Sequence, residues 1–237
     1  MRKPQLFSAV AAIVLTSASA FAQQAPASTG ATDHAGVVGR YAATWFAPVT
    51  LSQLNAAAGN ANELFGTFAV TPIGVRYWMN SGMGLDLGLG LGMTSGSSEN
   101  KVGATTTTVD APSAFGLVLH GGVPFAISTG KHYSFLAIPE ANLGFSKSSV
   151  KGTNDDISVS GFHLDLGARA GAEVHFGFID LPQLSLQATV GVALTYDHST
   201  LTNGSIESAK SATAFGTTTQ NEPWSIFRSS VAALYYF

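Results

Sequence analysis

From about residue 37 onward, apolar and polar positions alternate with a period of two, not 3.6. In Met83-Gly84-Leu85-Asp86-Leu87-Gly88-Leu89-Gly90-Leu91-Gly92-Met93, one face holds only Leu and Met, and the other holds Gly with Asp86. A helix would smear these residues around its axis and be crippled by its glycines, whereas a strand sorts them onto two faces. Phe162 to Phe176 repeats the pattern, with Phe162, Leu164, Leu166, Ala168, Ala170, Ala172, Val174 and Phe176 opposite His163, Asp165, Gly167, Arg169, Gly171, Glu173 and His175. Leu184 to Tyr196 does so again. Carried along the chain, the alternation predicts eight strands, at roughly 37–47, 67–79, 83–94, 111–127, 132–146, 158–177, 183–197 and 223–237.

The predicted connections alternate in length. Those at Asn80-Ser81-Gly82, Ser128-Thr129-Gly130 and Ile179-Asp180-Leu181-Pro182 are short, and those at about 48–66, 95–110, 147–157 and 198–222 are long and polar. Short turns at one end and long loops at the other mark barrels that cross a bilayer. An even strand number closes the sheet without edges, as lipid requires. Many strands exceed the roughly 9–11 residues needed to cross, so they are expected to project beyond the outer leaflet. Leu51 to Leu64, with Ala56-Ala57-Ala58 and Glu63, suggests a short helix in the first long loop.

Outward aromatics fall at two depths. Tyr77, Phe125, Phe135, Phe176, Tyr235 and Phe237 lie at the short-turn ends, and Trp45, Phe145, Phe162, Tyr196 and Phe227 at the long-loop ends. Leu, Val, Ile and Ala fill the space between, so the pattern predicts two girdles around an aliphatic belt. The rival is a secreted β-sandwich or a lipocalin-like barrel, which would alternate apolar inside and charged outside. Here the polar face is rich in Gly and poor in charge, which suits a narrow, crowded interior.

Composition sharpens this. Charged residues make up 11% of the 237, against about 25% in ordinary soluble domains, too few to cover a solvated surface. A net charge of −3 argues against a nucleic-acid partner, which needs a basic face. The absence of Cys excludes disulfide scaffolds, thiol catalysis and Cys-ligated zinc. At the start, Arg2 and Lys3 precede an apolar core from Leu6 to Leu15 and then Ala20-Phe21-Ala22. This is the pattern of a secretory signal peptide, too short an apolar run for a comfortable membrane anchor. The expected organisation is therefore a signal peptide over 1–22, a flexible periplasmic tail over 23–36 and a barrel over 37–237.

The same phasing turns Arg40, Arg76, Arg169 and Arg228 inward, against Asp86, Glu140, Asp165 and Glu173. An unpaired charge there costs several kcal/mol, so these groups are expected to pair. Eight strands leave an interior that side chains can fill, which favours a plugged, salt-bridged core over charges lining an ion path. If Met79 faces Met83 across the turn, Arg76 stands opposite Asp86, and an ion pair near the periplasmic end is predicted.

The segment from Phe227 to Phe237 alternates Val231, Ala233, Tyr235 and Phe237 on one face. It resembles the terminal strand signal of Gram-negative outer-membrane barrels. From about residue 37 the chain is similar in architecture to the small eight-stranded family of the OmpA transmembrane domain and OmpX. The resemblance implies an exported, monomeric, porin-like protein of the cell outer membrane. It further implies a strand (Val231, Tyr235, Phe237) handled by the barrel assembly machinery, and contact with outer-membrane lipid and lipopolysaccharide.

Candidate chemistry is sparse. Some barrels of this class modify lipid A with a His beside Ser or Asp, and Asp197-His198-Ser199 lies at the outer end of a strand. Adjacent strand residues point to opposite faces, so these three cannot form a triad by themselves, and His198 is expected in a loop. His163 and Asp165 share a face closely enough to share a metal, but His175 is too far along the strand to join them. His120 adds nothing specific. The runs Thr105–Thr108 and Thr217–Thr219 suit carbohydrate or host-surface binding, or merely a solvated loop. The expected function is structural or surface interaction through extracellular loops, without enzyme activity, cofactor or metal. The alternatives are a small pore for solute uptake and a lipid A-modifying enzyme.

Overall fold

A computed structural model describes residues 32–55, 64–152, 156–217 and 231–237. The expected signal peptide, Phe227 and Arg228 lie outside the described residues.

The fold is all-β, a closed antiparallel barrel of eight strands. Its wall is built from β1 (Tyr41–Trp45), β4 (Ile73–Trp78), β5 (Gly84–Val102), β6 (Thr105–Gly122), β8 (Tyr133–Val150), β9 (Ile157–Phe176), β10 (Leu181–Asn203) and β12 (Val231–Tyr236). Each pairs antiparallel with the next, and Ala42 opposite Tyr236 closes the ring. The short β7 (Phe125–Thr129) continues the line of β6 along β8. Likewise β11 (Ile206–Thr217) runs along the upper half of β10, whose lower half pairs with β12.

The strands reach further than the alternation predicts. The stretch expected as a loop at 95–110 is a continuous hairpin that turns on Gly103 and Ala104, so Thr105–Thr108 lie in a strand. Similarly, β10 and β11 carry much of the 198–222 connection as a ladder that turns on Gly204 and Ser205, and His198 is a strand residue. Gly103 and Gly204 adopt positive φ (62° and 57°), which two-residue hairpin turns demand and glycine supplies without strain.

Two further elements depart from expectation. The tail, expected to be flexible through residue 36, contains a short helix, α1, over Asp33–Val37, capped by Thr32, whose hydroxyl accepts from the Ala35 amide at 3.1 Å. His34 and Val37 are buried, Val37 in a cluster with Trp78, Leu136, Ile138, Leu234 and Tyr236 at one barrel mouth. The first long loop, in turn, contains a two-stranded sheet. Strands β2 (Val49–Leu54) and β3 (Phe65–Val70) pair with each other and with no wall strand. Leu51 to Leu54 is therefore strand in place of the expected helix, while residues 56–63 lie outside the described residues.

This hairpin folds into the lumen. Phe46 donates its amide to the Pro72 carbonyl at 2.9 Å, and beyond that link the two chains leave the wall at Pro48 and Pro72. Proline cannot donate a ladder hydrogen bond, so a pair of them marks a natural exit from a sheet. Inside, Leu51 and Phe68 lie against glycines of the wall. A methyl group added at Gly116 would meet Phe68 at 2.6 Å and Leu51 at 2.7 Å, and one at Gly92 would meet Val70 at 2.6 Å. Glycine at these positions lets the hairpin approach the wall backbone. Higher up, Leu54 packs with Val159 and Leu201.

Candidate functional site: the barrel interior

Charged and polar side chains of the interior lie in layers. The lowest is built around Arg76, which is 2% exposed. Its register partner across the β4–β5 ladder is Asp86, because the Met79 amide donates to the Met83 carbonyl and fixes the turn. Nε and Nη2 of Arg76 donate to the two Asp86 oxygens at 2.7 Å each, a bidentate fork. Nη1 donates to Glu173 at 3.2 Å and also to Gln187. Glu173 accepts further from Ser185 at 2.6 Å and from the Tyr236 hydroxyl at 2.8 Å, while that hydroxyl accepts from the Trp78 indole at 2.9 Å. One guanidinium thus pairs with two buried carboxylates, one negative charge more than it carries, and Glu173 takes further hydrogen bonds from neutral donors.

The next layer holds Arg169, whose guanidinium clasps Glu140 at 2.6 and 2.8 Å and reaches Thr189 at 3.2 Å. Beside it His120 donates to Asn142 at 2.8 Å and stacks on Phe46 with ring centroids 3.8 Å apart. Above, the His163 ring nitrogens face Asp197 at 2.7 Å and Asp165 at 2.9 Å. Thr195 also donates to Asp165 at 2.7 Å. Of the two contacts, the one from Nδ1 to Asp197 has hydrogen-bond geometry, and Nε2 lies near Asp165 without it. Among the described residues no group of three or more His, Cys, Asp or Glu is placed to hold a metal ion.

Not every expected interior charge takes part. Arg40, expected inward, lies before β1 and is exposed, with no ion pair among the described residues. The expected balance of four cations and four anions therefore does not form. Among the described residues the interior carboxylates are Asp86, Glu140, Asp165, Glu173 and Asp197, set against Arg76, Arg169 and the rings of His163 and His175.

The stretch Asp197-His198-Ser199 splits between faces. Asp197 turns in to His163, His198 bonds Ser211 at 2.8 Å on the outside, and Ser199 meets Ser52 of the lumenal hairpin at 2.6 Å. Among the described residues no nucleophile, base and carboxylate come together there. Ser146 also holds the hairpin, donating to the Ser52 carbonyl at 2.7 Å.

At the opposite mouth, α1 is tied down by polar contacts. Asp33 accepts from His132 at 2.7 Å and from the Gly177 amide at 3.2 Å, and His34 donates to the Ser81 carbonyl at 3.1 Å. The His34 ring stands edge-on to Trp78 at 4.4 Å. Burial holds its imidazole below the ordinary range, although the charge of Glu173 pulls the other way.

The outer surface carries the complementary pattern. Ile73, Leu87, Leu89, Leu91, Met93, Leu119, Val190 and Val192 are exposed there, Met93 at 81%. Aromatic contacts gather at the two ends of this belt. Tyr41–Tyr77, Tyr133–Phe135 and Phe176–Phe178 lie at one, with Tyr235 and Phe237 exposed nearby, and Phe145–Phe162–Tyr196 at the other. Trp45 is exposed, and Phe125 is half-buried beside its bridge partner Met83.

The α1 cap and the lumenal hairpin escape the alternation pattern. The hairpin has a signal in Pro48 and Pro72, which bracket apolar residues facing the Gly-rich inner wall. The helix has one only in its Thr32-Asp33 start.

No protein-family model and no curated protein matches the chain. Among solved structures it is similar to Ail, the attachment invasion locus protein of Yersinia pestis, at 14% identity and a TM-score of 0.38, over 84% of this chain and 99% of that one. It is also similar to a major outer membrane protein from Thermus thermophilus, at 12% identity and a TM-score of 0.40, over 84% and 98%. Both likenesses are too distant to carry function across, and the barrel assignment stands on the closed ring of strand pairings.

Proposed function

We propose that this chain is an exported outer-membrane barrel with a closed lumen and a structural or surface-interaction role. In this reading, residues 1–22 are the cleaved signal peptide, and the strand holding Val231, Tyr235 and Phe237 is handled by the barrel assembly machinery. The observation that carries the proposal is the belt of exposed aliphatic side chains between two aromatic groups, on a sheet with no open edge at that level. Water would penalise so large an apolar band, whereas lipid accepts it. The lumen is closed by the Arg76 and Arg169 layers and by the hairpin, and the surface role falls to the long β5–β6 and β10–β11 hairpins.

Two measurements test this. Mature protein refolded in detergent should migrate differently on SDS gels before and after boiling; identical mobility would remove the barrel reading. In planar bilayers the protein should give no steady single-channel steps, and steady steps would overturn the closed lumen.

A further inference from the structure

Where β3 bends into the lumen it parts from the wall strands β5 and β6, leaving between them an open cleft of about 510 Å³. That volume lies within the roughly 300–1,000 Å³ of small-molecule sites. Among the described residues its lining is neutral. Gln53 and Asn55 supply amides, Thr67, Thr94 and Ser95 supply hydroxyls, and Phe68 supplies an aromatic surface. Among the described residues the three hydroxyls have no hydrogen-bond partner, and the Gln53 amide nitrogen donates to the Thr67 carbonyl at 2.9 Å. The wall is specially shaped here. The β5–β6 register shifts between Thr94 and Gly96, a bulge that re-aims the side chains around Ser95.

These features select a ligand class. A phosphate or carboxylate would find no counter-charge in the lining, and an acyl chain would strand polar groups without partners. A neutral, polyhydroxylated molecule answers both demands, because its hydroxyls meet amide and hydroxyl groups while its C–H face lies on an aromatic ring. We infer that the cleft between the inward hairpin and the β5–β6 wall binds a neutral saccharide of one or two rings. The inference gives a ligand class to the surface role proposed above and rests on that reading for its access to the cell exterior.

The test is saturation-transfer NMR on the full mature barrel in detergent, with maltose, lactose and chitobiose as probes. Transfer to at least one sugar is expected, and Thr67→Trp, which fills the cleft from the exposed edge of β3, should abolish it. Ser95→Val should weaken transfer several-fold while leaving heat-dependent gel mobility unchanged, which shows that the variant still folds. Absence of transfer to all three sugars, or transfer that survives Thr67→Trp in a folded barrel, would overturn the site. So would dodecanoate binding that Thr67→Trp removes when no sugar binds. Detergent NMR reads the cleft wherever the chain resides, so its failure is distinguishable from failure of the membrane reading.

Discussion

Arg76 and Asp86 stand directly opposite each other across the β4–β5 ladder and close a bidentate ion pair, both side chains withdrawn from solvent. Arg76 also pairs with Glu173 from β9 and donates to Gln187 from β10, so one guanidinium ties four wall strands. Replacing it by Met would leave two carboxylates buried without a cation. We expect Arg76→Met to lose about 3–5 kcal/mol, measured as a lower urea midpoint of the refolded barrel. Arg40→Met, at an exposed position, should stay within about 0.5 kcal/mol of the parent. Equal losses in the two variants would contradict this account of the lower layer.

Tyr236 links the aromatic and charged parts of that layer, accepting from Trp78 and donating to Glu173. Tyr236→Phe keeps the ring but orphans the indole N–H in a buried site. A loss of about 1–3 kcal/mol is expected from the same unfolding curves. An unchanged midpoint would mean that Trp78 finds another acceptor.

The lumenal hairpin depends on missing side chains in the wall. Gly116→Val should force Phe68 and Leu51 away and cost about 1–3 kcal/mol. Combined with Leu51→Ala, which vacates the clashing space, the loss should fall short of the sum of the two single losses. Strict additivity would place the hairpin somewhere other than against Gly116.

Docking of α1 should depend on pH through His34. Its folded-state affinity for a proton is depressed by burial, so the undocked state binds more protons in acid. The contribution is complete above the ordinary imidazole range, about 6.5, and is lost as pH falls below that value. Hydrogen exchange over residues 33–39 should therefore quicken on acidification in the parent, relative to the intrinsic chemical rate, and change less in His34→Phe. Slower exchange in acid on that scale would reverse the sign and refute the assignment.

Period two is legible because it is local. Each residue's face is set by the pleat, so Leu87, Leu89 and Leu91 outside and Gly88, Gly90 and Gly92 inside follow from the order of side chains alone. The Arg76–Asp86 register is nearly as accessible, since a short turn transmits phase from one strand to the next. Alternation underestimates strand length where composition turns polar, as at Thr105–Thr108, because a ladder can continue past the apolar belt on backbone hydrogen bonds alone.

Side-chain alternation and turn spacing were enough to specify the β-architecture and the two-faced wall. What occupies the inside follows from long-range packing. That Leu51 settles against Gly116, that Ser52 meets Ser199 and that His34 slips under Trp78 depends on residues far apart in the chain meeting in a shared volume. Alternation assigns a residue to a face, but it carries no information about which distant segment fills the space that face encloses.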